Sequence, residues 1–516
     1  MKPLNHAHVV AFALLPAVSL LGHNIDMAPP SHALRPALLS LLLMGISLAL
    51  FNRLFRDLAK ASALTSMLLI LFFSYGHVYS GLVTEGTFRL FARAGLVGRH
   101  EILAPTWLAL FLLAAWAISR MRQRVTTLSS ALNVMAVAAL AVPLMQIVLY
   151  EYQISQPWQE PPQTASANAP GDWPDIYYIV VDGYAGEDVL RSIYQYDNGP
   201  FLDKIADLGF LVAGQSRSNY MQTSLSLASS LNLEYIDTLQ PALPSSGDDR
   251  APLARLIRWS AVRRFLEDHG YRIVGLPSGY RVTELENADL YLRAPVGAST
   301  TLERLAIETS GLVLLKDLAA ALGVRLSPPG YQAHRDRLLF TLDQLRQSPS
   351  IPGPKFVFAH IILPHPPFVF DADGAPVLQD RPFTLMDGDA FLGTPDDYLS
   401  GYRAQVSYLN SVLPDILRSL IEKSPRPPII VLQADHGPGS RLDWHSAGQT
   451  DLTERTSILN AYYLAGEGSP LFYETITPVN SFRLVFDKVF HANYPFLEDR
   501  SYFSTWEQPY HFIAVP

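Results

Sequence analysis

The sequence predicts a two-part chain: an N-terminal bundle of about five membrane-crossing helices, then an external α/β/α sandwich around a largely parallel sheet. Three observations carry this. Only 17% of the 516 residues are charged and 49% are hydrophobic, whereas soluble domains carry about 25% charged residues. Five long apolar stretches fall within the first 150 residues. After residue 175, short β-type apolar runs alternate with segments of helical period, the pattern of a sheet covered by helices on both faces.

The apolar stretches are 9–22, 37–51, 61–83, 103–119 and 128–150. A helix crosses the hydrocarbon with about 20 residues, so the third and fifth suffice alone and the others draw on their flanks. The first follows Met1-Lys2, and with no A-x-A-like cleavage site after it a retained anchor is expected rather than a cleaved signal. Pro16 and Pro143 are compatible with membrane helices, where neighbouring helices re-satisfy freed carbonyls. Lys2, Arg53, Arg56, Lys60, Arg120, Arg122 and Arg124 fall on one side, against Arg35, Arg89, Arg93 and Arg99 on the other. The positive-inside rule then puts the N-terminus in the cytoplasm and the C-terminal part outside, as in a bacterial-type plasma (inner) membrane protein with a periplasmic or extracellular domain. His8, His23 and His77 are the ionisable side chains in or near these stretches; they read as helix-contact or interfacial groups rather than an ion path.

The halves differ in charge. Residues 1–155 hold 11 Lys and Arg against 5 Asp and Glu, net +6, leaving 28 against 42, net −14, for 156–516. An acidic external part lacks the basic footprint that nucleic acid requires. The chain has no cysteine, which removes disulfides, Cys-ligated zinc, iron–sulfur clusters and thiol nucleophiles together. The expected domains are 1–152 in the membrane, an extended linker over 153–174 rich in Pro, Ala and Gln, and one external domain over 175–516.

In that domain the runs 176–181 (IYYIVV), 271–276, 355–363, 428–433 and 458–464 read as strands buried on both faces, and 253–269, 334–347 and 402–423 as helices. Open α/β sheets bind ligands beyond the carboxyl ends of their strands. Asp182 follows the first run, His365 lies two residues after the third, and Asp435 and His436 follow the fourth. Carboxylates and imidazoles from separate strand ends suit Zn²⁺ or Mn²⁺. In 216–235 (SRSNYMQTSLSLASSLNLEY) the helical pattern begins near Thr223. There the residue fits either an N-cap or a nucleophilic hydroxyl, at a helix end favourable to phosphate.

Asp182 after the first strand, Thr223 opening a helix some 40 residues on, Asp435-His436-Gly437 at a late strand end and His445 soon after resemble the alkaline phosphatase superfamily. Within it the chain looks like the sulfatase-like membrane transferases, the lipoteichoic acid synthases and lipid A phosphoethanolamine transferases. The resemblance implies a sandwich of the alkaline phosphatase/sulfatase type, with Asp182, Thr223, Asp435 and His436 as ligands of one divalent metal, Zn²⁺ or Mn²⁺. It implies Thr223 as the nucleophile that is transiently phosphorylated, and His365, in H-P-P-F, as a substrate-binding residue. His445 would bind substrate or a second metal. A membrane phospholipid would donate phosphoglycerol or phosphoethanolamine to an envelope glycan or lipid. His360, five residues before His365, is expected to point to the opposite side of the strand and to be structural.

A cysteine-free chain lacks the C-x-P-x-R segment of the formylglycine sulfatases and the disulfides frequent in phosphoethanolamine transferases. Several of those transferases have Glu where this chain has Asp182. The rival readings are a metal-dependent phosphodiesterase or phosphatase, with water as acceptor, and a non-catalytic envelope scaffold. The segment 278–329 is expected to shape acceptor choice, and the aromatic residues of 502–512 to be core.

Overall fold

The computed structural model describes residues 6–83, 100–121, 124–157, 173–239, 247–295, 300–322, 330–379, 381–464 and 471–515. In chain order its helical first part comprises α1 (Ala7–His23), α2 (Leu34–Phe55), α3 (Leu58–Val83), α4 (His100–Arg120) and α5 (Arg124–Ser155). Next come β1 (Ile176–Val181), α6 (Glu187–Ser192), α7 (Gly199–Asp207), β2 (Leu211–Val212), α8 (Thr223–Asn232), α9 (Ala251–Arg258), α10 (Ala261–Asp268), β3 (Arg272–Gly275) and β4 (Leu290–Tyr291). Then follow α11 (Thr301–Glu308), α12 (Leu312–Ala321), α13 (Tyr331–Gln347), β5 (Lys355–Ile361), α14 (Pro395–Lys423) and β6 (Ile429–Gln433). The chain closes with α15 (Leu452–Thr456), β7 (Asn460–Tyr463), α16 (Pro478–Phe490), β8 (Ser501–Phe503) and β9 (Ile513–Val515).

Two compact units result: Met1–Glu151 with Ala298–Gly330, and Tyr152–Gly297 with Tyr331–Pro516. The expected external domain of 175–516 therefore loses 298–330 to the first unit. The expected linker also begins later than residue 153, because α5 continues to Ser155; residues 158–172, with Arg89, Arg93, Arg99 and Arg122, lie outside the described residues.

Among the described residues of the first unit, four helices are long and apolar enough to cross a membrane, over Pro30–Phe55, Leu58–Gly81, His100–Arg120 and Arg124–Ser155. Of the five expected crossings, α1 has 17 residues and falls short on length alone. His8 is buried, with Nδ1 2.7 Å from Ser66 Oγ on α3. This is a helix contact, as the sequence suggests; His77 is exposed.

The second unit is built on a seven-stranded sheet of order β2-β7-β6-β1-β5-β3-β4. β6, β1, β5, β3 and β4 are mutually parallel, while β7 runs antiparallel to β6 and β2 antiparallel to β7. All six residues of β1 and all seven of β5 are buried, as a strand covered on both faces requires. On one face Leu338, Leu342 and Leu345 of α13 and Tyr402, Val406, Leu409 and Leu413 of α14 pack over Tyr177, Ile179 and Val181. On the other face Tyr178 meets the Phe482 ring of α16, and its hydroxyl lies 3.1 Å from Ser230 Oγ of α8 and donates to Gln433. Each fully buried aliphatic or aromatic side chain contributes about 1.5–3 kcal/mol. At the opposite end of the central strands from the site, Lys355 Nζ pairs with Asp175 in a fully buried 2.6 Å contact. The expected helix over 253–269 is two helices, α9 and α10, divided where Ser260 accepts the Arg263 amide as an N-cap. Of the C-terminal aromatics, Phe503 and Tyr510 are buried, as expected of core.

Candidate metal centre and active site

Parallel alignment brings the carboxyl ends of β1, β5 and β6 side by side, with Val181 opposite Ile361 and Val180 opposite Gln433. Asp182 and Asp435 leave those ends as neighbours. Gly183, at φ +72°, turns its amide onto Asp435 Oδ1 at 3.2 Å, a conformation that favours glycine. Gly437 is required for a different reason: a Cβ there would collide with the backbone carbonyl of Glu454.

Donor atoms of Asp182, Asp435 and His436, all buried, lie within 4.8 Å of one another. His436 Nε2 stands 3.6 Å from Asp182 Oδ1 and 3.3 Å from Asp435 Oδ2. Those two carboxylate oxygens are buried without a hydrogen-bond partner, a costly state unless a cation completes it. His436 Nδ1 lies 2.9 Å from its neighbour's carbonyl, Gly437 O, so Nδ1 carries the proton and Nε2 presents its lone pair. Burial, then the positive charge of Arg455, lowers the His436 pKa, which keeps the ring in the neutral, ligating form. Burial alone would raise the Asp182 pKa, but the charges and hydrogen bonds of His365, His360 and His436 outweigh it and hold the carboxyl well below the usual range. Two carboxylates and a neutral imidazole fit a divalent cation of the Zn²⁺ or Mn²⁺ kind.

Thr223 is the first residue of α8; the N-cap is Gln222, whose side chain makes no cap hydrogen bond. The Thr223 hydroxyl is thus free of a capping duty and lies 3.0 Å from His436 Nε2. It is half-buried beside a wholly buried set, which leaves it the accessible group at the mouth of the centre. The α8 start is fixed by Ser226, whose hydroxyl donates to the Asp435 carbonyl at 2.7 Å.

His365 is also brought here: its amide donates to the Asp182 carbonyl, its ring centroid is 6.1 Å from that of His436, and Nε2 is 3.7 Å from Asp387 Oδ2. His445 is 64% exposed and pairs instead with Glu507 at 3.0 Å and Asp389 at 3.8 Å; among the described residues no contact joins it to the cluster.

Three residues were missed by sequence reasoning. His360 Nε2 lies 3.2 Å from Asp182 Oδ2, and Nδ1 lies 2.9 Å from Thr283 Oγ1, so the side chain expected to be merely structural orients the Asp182 carboxylate. Burial opposes its protonation, yet the hydrogen bond and charge of Asp182 raise its pKa. Arg455 of α15 is buried and donates to Met221 O, Gly437 O and Asp387 Oδ2, clamping the segment before Thr223 to the loop after His436. Asp387 accepts from Arg455 and from the Tyr398 hydroxyl. Against burial, the charges of His365 and Arg455 keep its pKa low. Their sequence signal was weak, since neither Asp387 nor Arg455 follows a β-run.

No family model matches the chain, and no curated protein matches it. Solved structures do. The C-terminal periplasmic domain of EptC from Escherichia coli, in complex with Zn, is 11% identical and covers 69% of this chain and 96% of its own, with a TM-score of 0.43. The integral membrane lipooligosaccharide phosphoethanolamine transferase A of Neisseria meningitidis is 11% identical over 90% of this chain and 88% of its own, TM-score 0.35. A putative sulfatase from Bacteroides thetaiotaomicron is 15% identical over 61% and 71%, TM-score 0.38. At such identities, function has to be argued from the residues of this chain.

Proposed function

We propose that the protein is a membrane-anchored, metal-dependent phosphotransferase that moves a phospholipid head group, phosphoglycerol or phosphoethanolamine, to an envelope glycan or lipid through a phosphothreonine intermediate. The observation that carries the reading is the accessible Thr223 hydroxyl 3.0 Å from His436 Nε2, beside two buried carboxylate oxygens that have no hydrogen-bond partner. Asp182, Asp435 and His436 would hold the cation, with Thr223 completing the set. When bound, the cation supplies Lewis acidity and neutralises developing charge.

The steps for the chain are few. Thr223 Oγ1 gives its proton to water and forms a bond to phosphorus as the bond from phosphorus to the lipid's glycerol oxygen breaks. That oxygen leaves as the alcohol of diacylglycerol, carrying a proton from water. An acceptor hydroxyl then forms its bond to phosphorus, the Thr223 Oγ1–phosphorus bond breaks, and Thr223 regains a proton. The exposed amides at the α8 start suit the phosphoryl anion. His365, next to the centre, binds phosphoryl oxygens and is steadied by Asp387, in the manner of a preorganised anion site. Arg455 and His360 position groups rather than react. Helices long enough to cross a membrane suit a lipid donor, because attachment raises its local concentration.

Mass spectrometry of the purified full-length chain, incubated with phosphatidylethanolamine or phosphatidylglycerol and a divalent metal, tests this. The expected result is an adduct of the head-group phosphate on Thr223, absent in Thr223→Ala. Full turnover by Thr223→Ala would overturn it, and release of head-group phosphate without a modified acceptor would assign the site to hydrolysis.

A further inference from the structure

Residues 300–322 form a helical hairpin that belongs to the first unit although both its flanks in sequence belong to the second. Its first arm, α11, begins with a Thr300/Glu303 capping box and packs against α1, α2, α3 and the turn Pro30–Ala33. Its second arm, α12, reads LVLLKDLAAA and is apolar apart from the adjacent Lys316 and Asp317. One side packs inward: Val313 and Leu314 lie in a cluster with Tyr75, Tyr79, Leu103 and Trp107. Asp317 pairs with His100 at 3.0 Å and accepts from the Tyr79 hydroxyl. The other side is bare, with Leu315 60% and Leu318 53% exposed.

Depth can be read from the neighbouring helices. The Gly311 amide donates to Phe72 O, and the Trp107 indole donates to Leu71 O, so the hairpin's turn lies level with Trp107. Trp107 is seven residues inside α4, about 10 Å from the His100 end at 1.5 Å per residue. His100 marks the external end because Arg120 closes the other. The turn can approach α3 so closely because of two glycines: a Cβ on Gly76 would collide with the Glu308 carbonyl, and one on Gly311 would crowd the Phe72 ring. The backbone of the turn is satisfied within the protein, with Gly311 bonded to Phe72 and the Val313 amide to Ser310, the condition under which non-helical backbone is tolerated at membrane depth.

We propose that residues 300–322 form a re-entrant hairpin that enters the outer leaflet from the external side, with the Leu315/Leu318 face of α12 lying in phospholipid acyl chains. The occupant follows from continuity, since the apolar outer faces of α2, α4 and α5 are equally bare and those helices have the length of membrane spans. The inference rests on the membrane reading of the first unit, and the test separates the two. Because the chain has no cysteine, Leu315→Cys and Leu318→Cys each place a single spin label in the full-length protein. The labelled protein is reconstituted in phosphatidylethanolamine/phosphatidylglycerol vesicles. Ile46→Cys on α2 marks lipid and Glu422→Cys on α14 marks water. In power-saturation EPR, labels at 315 and 318 are expected to lie with 46, more accessible to oxygen than to a water-soluble nickel complex. Gly76→Leu should expel the hairpin and move the 315 label toward the reading at 422 while leaving 46 unchanged. Labels at 315 and 318 that read like 422, or are shielded from both reagents by a protein surface, overturn the proposal alone. A label at 46 that reads as aqueous overturns the membrane reading with it.

Discussion

Thr223 is the half-exposed member of a buried group, and Asp182, His360, Asp387 and Arg455 set its surroundings. Removing the hydroxyl in Thr223→Ala is expected to lower head-group transfer by roughly 10³-fold or more, measured with radiolabelled phospholipid. His360→Ala is expected to weaken metal retention by about 10–100-fold, as loss of a partner that orients a ligand does. Chelator competition on the folded protein would show it, and unchanged affinity would return His360 to a packing role. Asp387→Ala leaves Arg455 buried without its carboxylate, so destabilisation of about 3–5 kcal/mol is expected by denaturant titration. The grouping of Asp182, Asp435 and His436 was legible because Asp182 and Asp435 directly follow apolar runs that read as buried strands, with His436 next in sequence. His360 was misread because strand alternation was carried on to His365, whereas β5 ends at Ile361 and the period of two ends with it. Asp387 and Arg455 sit in a loop and a five-residue helix, where no periodicity marks a side chain as inward.

Among the elements, the strands of the central sheet were the most readable: the expected 176–181 is β1 itself, and 355–363 and 428–433 differ from β5 and β6 by one or two residues. Direction was not readable. β7 is nearly as buried as the parallel strands of the sheet, and burial does not encode which way a strand runs. Two-residue β2 and β4, and the β8–β9 hairpin, are too short to show a period. The loop from β6 to α15 is the element on which the centre depends, because Gly437 passes against the Glu454 carbonyl. Gly437→Ala is expected to destabilise the protein by about 1–3 kcal/mol through overpacking and to loosen the metal. A thermal melt with and without added Zn²⁺ would reveal both, and a wild-type melt would refute the close approach.

For the whole molecule, composition and charge were enough to separate an apolar helical part from an acidic α/β part, but they implied a single passage between the two. The structure has three, at 151/152, 297/298 and 330/331. The second and third were hidden because α12 has only 10 residues, half a membrane span, and so reads as an ordinary amphipathic or core helix. If a protease site is engineered into 158–172 and cut, the α/β part is expected to stay with the membrane pellet, held through the 300–322 hairpin; its release into the supernatant would show that attachment to be weak. Modularity is affected as well. Catalytic parts joined to an anchor by one linker can be traded between anchors as cassettes, whereas this one carries a hairpin whose seat is formed by Gly76, Tyr79 and His100 of the anchor itself. A chimera spliced only at the linker would bring the plug without its socket.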